Sequence, residues 1–250
     1  MLKVITAFTG AGLITMLQGL APQALSLNPP MEIAQTDTAA AFYARHKDNV
    51  AAIPLPDCAT STSQLTQREM QEILLEHNRA RQDADRHVPR GLPPLPAVRW
   101  NCDVAAVAQA WADQSRGTQG HSSSGWRQQQ FAARTGLRGS AAALGENLAW
   151  AAGSAPAVVQ PVVKGVTDWD AERQHYNHSN GNCGQVCGHY TQIVWRESTQ
   201  IGCGIVRNQI RFPGGDRTWP HGYFLNCNYH YVGNINNDNP LIVHPDWYYQ

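Results

Sequence analysis

The chain reads as an α+β protein on three observations. A capping box opens a long amphipathic run at Thr66, a second run of helical spacing follows it, and β-branched and aromatic runs separated by turn residues close the chain. Helices first and an antiparallel sheet after them is the α+β pattern, not that of alternating βαβ units.

Residues 1–26 hold a lone Lys3 and then an apolar run, Val4 to Leu20, broken by Thr6, Thr9, Gly10, Gly12, Thr15, Gln18 and Gly19. Small-x-small triplets at Gly19-Leu20-Ala21 and Ala24-Leu25-Ser26 make this a secretory signal. The run is short and glycine-broken for a membrane span, so an exported protein is expected rather than an integral membrane one. Residues 27–62, with Asn28-Pro29-Pro30, Pro54 and Pro56, read as a linker carrying one short helix around Ala39 to Arg45. The domain, residues 63–237, opens where the Thr66 hydroxyl and the Glu69 carboxylate can each satisfy a free amide of a first helical turn.

Met70, Ile73, Leu74, His77 and Arg81 then share one face of a helix from Thr66 to about Arg86, which makes His77 a satisfied core histidine. Val88 to Pro96, with four prolines and a glycine, is a surface excursion, and Val98 to Trp100 a short strand. Val104, Val107, Ala108 and Trp111 mark a second helix, Asp103 to Ser115. Gly117 to Gly125, GTQGHSSSG, is a loop carrying His121. A further helix including Phe131 to Ala133 ends at Gly136 and Gly139. In Ala142 to Ala151 the lone acid Glu146 stands among apolar neighbours. A last helix, Pro161 to Tyr176, sets Glu172 between Trp169 and Tyr176. Strands are expected at Tyr190 to Trp195, Gly202 to Val206 and Tyr223 to Tyr229, with residues 238–250 as a C-terminal extension. Trp111, Trp169 and Trp195 read as core.

Lys+Arg and Asp+Glu both number 19, and no basic cluster interrupts that balance, so nucleic acid is excluded as a partner. The six cysteines, Cys58, Cys102, Cys183, Cys187, Cys203 and Cys227, all follow the signal, and an even count in an exported chain favours disulfides. Cys183 and Cys187 have a spacing that zinc ligands also use, but Cys203 and Cys227 supply no second close pair. Spacing alone leaves all fifteen pairings of six cysteines open.

At GHYTQIVWRES (Gly188 to Ser198) and FLNCNYHYVGNI (Phe224 to Ile235) the chain resembles the CAP superfamily of cysteine-rich secretory, antigen 5 and pathogenesis-related 1 proteins. The resemblance runs through His77-Asn78-Arg79, Leu144-Gly145-Glu146-Asn147-Leu148, and Trp169 with Glu172, from about Thr66 to Asn237. It departs at Tyr231, where the family usually has proline, and at Gln119-Gly120 and Val206-Arg207, where it commonly has cysteines. The resemblance implies a three-layer α-β-α sandwich, a Cys203–Cys227 bridge, a Cys58–Cys102 bridge in place of the absent one, and Cys183–Cys187 as the remaining pair.

It also implies a central cleft lined by His121, Glu146, Glu172 and His189. Imidazoles suit zinc or another divalent metal, with His121 and His189 as ligands and the carboxylates ligating or orienting. The plainer alternative is a structural hydrogen-bond cluster. The resemblance implies a secreted binding protein with a lipid, sterol or extracellular protein partner, or a role in defence. A metal-dependent hydrolase using the same cleft is the enzymatic alternative, with Ser122 beside His121 as a possible nucleophile. Against it, neither H-E-x-x-H nor G-x-S-x-G occurs in the sequence. Asn177-His178-Ser179 is an N-glycosylation sequon, meaningful only in a eukaryotic secretory pathway.

Overall fold

The computed structural model describes residues 37–249, so the expected signal at 1–26 lies outside the described residues. Helix α1 (Ala39–His46) starts at Thr38, whose hydroxyl accepts from the Ala41 amide. A turn of helix, α2 (Ala59–Thr62), leads to α3 (Gln67–Ala84), which opens on the Thr66–Glu69 capping box. The stretch read as a linker is, from residue 37 on, part of the folded domain. Phe42 and Ile53 are each only 2% exposed and Ala59 1% in the main core, and Cys58 is bridged to Cys102. The prolines of this stretch mask apolar anchors too widely spaced to register as a periodic element.

Strand β1 (Arg99–Trp100) precedes α4 (Cys102–Ser115) and α5 (Ser124–Thr135), each with an N-cap side chain, Asn101 and Ser123 respectively. Strand β2 (Gly145–Gly153) lies in the apolar stretch around Glu146. Helix α6 (Val163–Ala171) is shorter than the run Pro161 to Tyr176, because Glu172–His175 tightens into a 3₁₀ turn. Helix α7 (Gly188–Ile193), strand β3 (Gln200–Arg207), the small hairpin β4 (Ile210–Arg211) and β5 (Thr218–Trp219), and β6 (His221–His230) complete the order.

The main sheet has the order β1-β3-β6-β2, antiparallel except for the short β1 strand, which runs parallel to β3. Helix α4 covers one face, over Gly202 and Gly204. The other face, with Ile201, Cys203, Ile205, Leu225, Cys227 and Tyr229, packs with Ile73 and Leu74 of α3 and Val166 and Trp169 of α6. Helices on both faces of one sheet give the three layers. Because β1 ends at Trp100, the edge of β3 beyond it is free, and Gln109 of α4 pairs with it there. Its Nε2 donates to the Ile205 carbonyl at 2.9 Å and its Oε1 accepts from the Ile205 amide at 3.0 Å.

One element departs in type: Tyr190 to Trp195, expected as a strand, begins inside α7. β-Branched residues favour strands only where cross-strand neighbours exist. Here Glu172 accepts the first-turn amides of His189 and Tyr190, and the Thr191 hydroxyl bonds back to the Cys187 carbonyl. At the far end, the buried Arg81 takes the carbonyls of Ile193 and Trp195. Tertiary partners at both ends outweigh the local preference.

His77 is fully buried with both ring nitrogens partnered, as expected of a core histidine. Burial pushes its pKa from 6.5 down to about 4, against the opposing bond to the Ile73 carbonyl. A base with a lowered folded pKa leaves the unfolded chain binding the extra proton between those values, so stability is full above pH 6.5 and falls below it. The expected loss is about 2 kcal/mol between pH 6.5 and 5. Because His178, His46, His87 and His230 are lowered too, the difference between wild type and His77→Gln in urea unfolding across that window measures it, and the variant should show the flatter slope.

Candidate functional site

Both acids singled out in the sequence meet the histidines singled out with them. Side chains alternate along β2, so Glu146 and Asn147 point to opposite faces of the sheet. The Glu146 carboxylate is only 1% exposed and accepts from His121 Nδ1 at 2.8 Å. It also accepts from the Ser122 amide at 2.9 Å, the Ser122 hydroxyl at 2.8 Å and the Arg127 guanidinium at 3.2 Å. His121 rides on the glycine-rich loop between α4 and α5 with its side chain 59% exposed.

The second pair is built on the turn after α6. Glu172 Oε1 accepts from His189 Nδ1 at 2.6 Å, while Oε2 accepts the His189 amide at 3.0 Å and the Tyr190 amide at 3.3 Å. One carboxylate thus fixes both the ring and the main chain of His189. The imidazole lies nearly parallel to the Trp169 ring, centroids 5.9 Å apart. The start of β2 links the pairs: next to Glu146, Asn147 donates to the His189 carbonyl at 3.1 Å. The Cys183–Cys187 bridge closes the loop just ahead of α7, and Val186 at its tip is exposed.

In each pair Nδ1 donates to a carboxylate, which in the neutral ring leaves Nε2 as a bare acceptor. Each pair therefore leaves one ring nitrogen, on His121 and on His189, as an acceptor for a ligand. The Glu146 oxygens are taken up by four protein donor contacts and act as orienting groups. Among the described residues no group of three or more His, Cys, Asp or Glu is arranged around one metal position, so water would have to complete any coordination sphere. The Ser122 hydroxyl donates to Glu146, not to His121, so Ser122 and His121 do not form a nucleophile–base pair.

Sequence reasoning missed Arg127, which sits beneath Glu146 and also donates to the Leu144 and Ser122 carbonyls. The signal for it was the Ser123 N-cap, which starts α5 so that Arg127 falls one turn inside it, facing back to the loop. Asn147 stands beside Glu146 in the same motif, and only the fold shows its partners, the His189 carbonyl and the Tyr229 hydroxyl.

A model of the cysteine-rich secretory protein family, CAP, matches residues 74–229. The chain belongs to that family. Among curated CAP relatives, pathogenesis-related protein 1C of Nicotiana tabacum is 35% identical over 176 residues, covering 70% of this chain and 82% of the relative. Venom allergen 5 of Vespa velutina is 34% identical over 196 residues, covering 73% and 86%. Among solved CAP structures, venom allergen-like protein 4 of Schistosoma mansoni aligns with a TM-score of 0.47 at 22% identity, covering 73% of this chain and 99% of that one. The six cysteines form Cys58–Cys102, Cys183–Cys187 and Cys203–Cys227, the pairing the family resemblance implied. Among the described residues no helix of this CAP chain is long and apolar enough to cross a membrane.

Proposed function

We propose that this CAP chain is an exported, non-catalytic binding protein whose cleft takes a divalent cation of the zinc class. The cation is held by Nε2 of His121 and of His189, with water completing its sphere. The observation that carries this reading is the engagement of both Nδ1 atoms by glutamates. Carboxylate partners fix the tautomer and raise the basicity of a metal-bound imidazole. Export is supported by three disulfides, which persist in oxidising compartments. A hydrolase with Glu146 as base is disfavoured, since Arg127 and Ser122 hold that carboxylate from below.

A second ligand class is favoured by a groove of about 290 Å³ between α6 and β2, lined by Leu148, Trp150, Trp169 and Tyr223 together with the polar Gln160, Lys164 and Asp168. A lipid or sterol, with both an apolar body and a polar head, suits that mixed lining.

Native mass spectrometry of the exported protein reports both ligands, and zinc titration calorimetry measures the first. Zinc at about a hundred times its Kd should raise stability by about 2.7 kcal/mol, reversibly with chelator. Affinity should fall as the histidines protonate. Heats indistinguishable between the wild type and His121→Ala plus His189→Ala would remove the metal reading. Neither metal nor lipid on the exported protein would leave an extracellular interaction protein with a structural His–Glu cluster.

A further inference from the structure

A buried polar path runs through the apolar core from α3 to α7, and its hydrogen-bond directions are fixed by its first member. The Ile73 carbonyl can only accept, so His77 Nδ1, 2.7 Å away, carries the proton. Burial keeps the ring neutral, so Nε2 is an acceptor, and Tyr229, 2.9 Å away, donates its hydroxyl proton to it. The Tyr229 oxygen then accepts from Asn147 Nδ2 at 3.0 Å, and the same amide nitrogen donates to the His189 carbonyl at 3.1 Å. His77 and Tyr229 are 0% exposed and Asn147 2%, so none of these groups has water to fall back on.

A layer of apolar side chains would fill this volume at no polar desolvation cost. What the polar path adds is one bond at its end, to the main chain of His189. Glu172 holds the amide and ring of that residue, and Asn147 holds its carbonyl from the opposite side. His121, by contrast, has its ring held through Nδ1 alone and its side chain largely exposed. We infer that Asn147, Tyr229 and His77 are positioning residues for His189, which make it the rigid jaw of the cleft while His121 remains the adjustable one. The inference rests on the proposed cleft only for its metal readout.

The test uses the full-length exported protein, ¹⁵N-labelled on histidine, with zinc as the probe. In the wild type, His77 should show the Nδ1–H tautomer and stay neutral above about pH 5, and the His189 Nδ1 proton should exchange slowly. Tyr229→Phe and Asn147→Leu should each speed that exchange and weaken zinc binding about tenfold, the lower end of what loss of an outer partner costs. The His121 ring signals should not move. Variants that are merely less stable, with His189 signals and zinc affinity as in the wild type, overturn the inference. So does a wild-type His77 that carries its proton on Nε2, a result independent of whether the variants fold. If the wild type binds no zinc, the metal reading fails alone, and the His189 ring signals still decide the positioning role.

Discussion

Arg81→Met is expected to lower stability by about 4 kcal/mol and the melting temperature by about 10 °C. Arg81 is fully buried, and its guanidinium donates to the carbonyls of Pro96 (2.8 Å), Ile193 (2.9 Å), Trp195 (2.8 Å) and Arg196 (3.0 Å). These carbonyls come from the loop before β1 and from the end of α7, where no helical amide is left to satisfy them. Methionine fills the volume and donates nothing, so the carbonyls of Pro96, Ile193 and Arg196 are left buried and unpaired, while Trp195 keeps only its bond from the Ser198 amide. Lysine should recover less than half of the loss, because a single ammonium cannot span a planar set of acceptors. Thermal unfolding followed by circular dichroism decides it: a methionine variant within about 1 kcal/mol of the wild type would show that water replaces the guanidinium.

The second large effect is expected where α4 meets the sheet. A Cβ on Gly204 would lie 2.3 Å from the backbone N and Cα of Gln109, and one on Gly202 would lie 2.1 Å from the backbone N of Ala105. Backbone atoms cannot rotate away, so relief requires the helix to lift from the sheet. That shift would also break the two bonds by which Gln109 covers the free edge of β3. Gly204→Ala is expected to cost about 3 kcal/mol or more, at the upper end of overpacking effects, and Gly202→Ala similarly. Gly125→Ala on α5 is the control. Nothing lies within 4 Å of its Cβ position, so a gain of about 0.5 kcal/mol is expected from helix propensity. Urea midpoints that rank the three variants in any other order would show that α4 tolerates a larger separation.

What was legible in the sequence follows from how local each signal is. The start of α3 is written in residues Thr66 to Glu69, because a capping box is closed by groups three positions apart. The periodicity of α4 and the turn-bounded β6 are similarly local. The four candidate cleft residues stood out through family motifs, and the same motifs implied the cysteine pairing. The polar groups beneath the cleft did not stand out. Arg127 meets Glu146 across 19 residues and His77 meets Tyr229 across 152; an N-cap can place Arg127 on its helix, but neither residue carries a mark of the partner it will find.

The residues from Tyr190 to Trp195 show the limit most plainly. Their β-branched and aromatic content is a strand signal by itself, and the chain makes a helix there because Glu172 and Arg81, from elsewhere, supply the donors and acceptors its ends need. The stretch before residue 63 is the complementary case. It looks like a linker because its apolar anchors follow no period, and only the assembled core shows where Phe42 and Ile53 belong. The sequence by itself determined the fold class, the family and which histidines and acids are candidates for a site. The tertiary structure decided which acid orients which histidine and which segments are helix, since those outcomes depend on hydrogen-bond partners that local patterning does not encode.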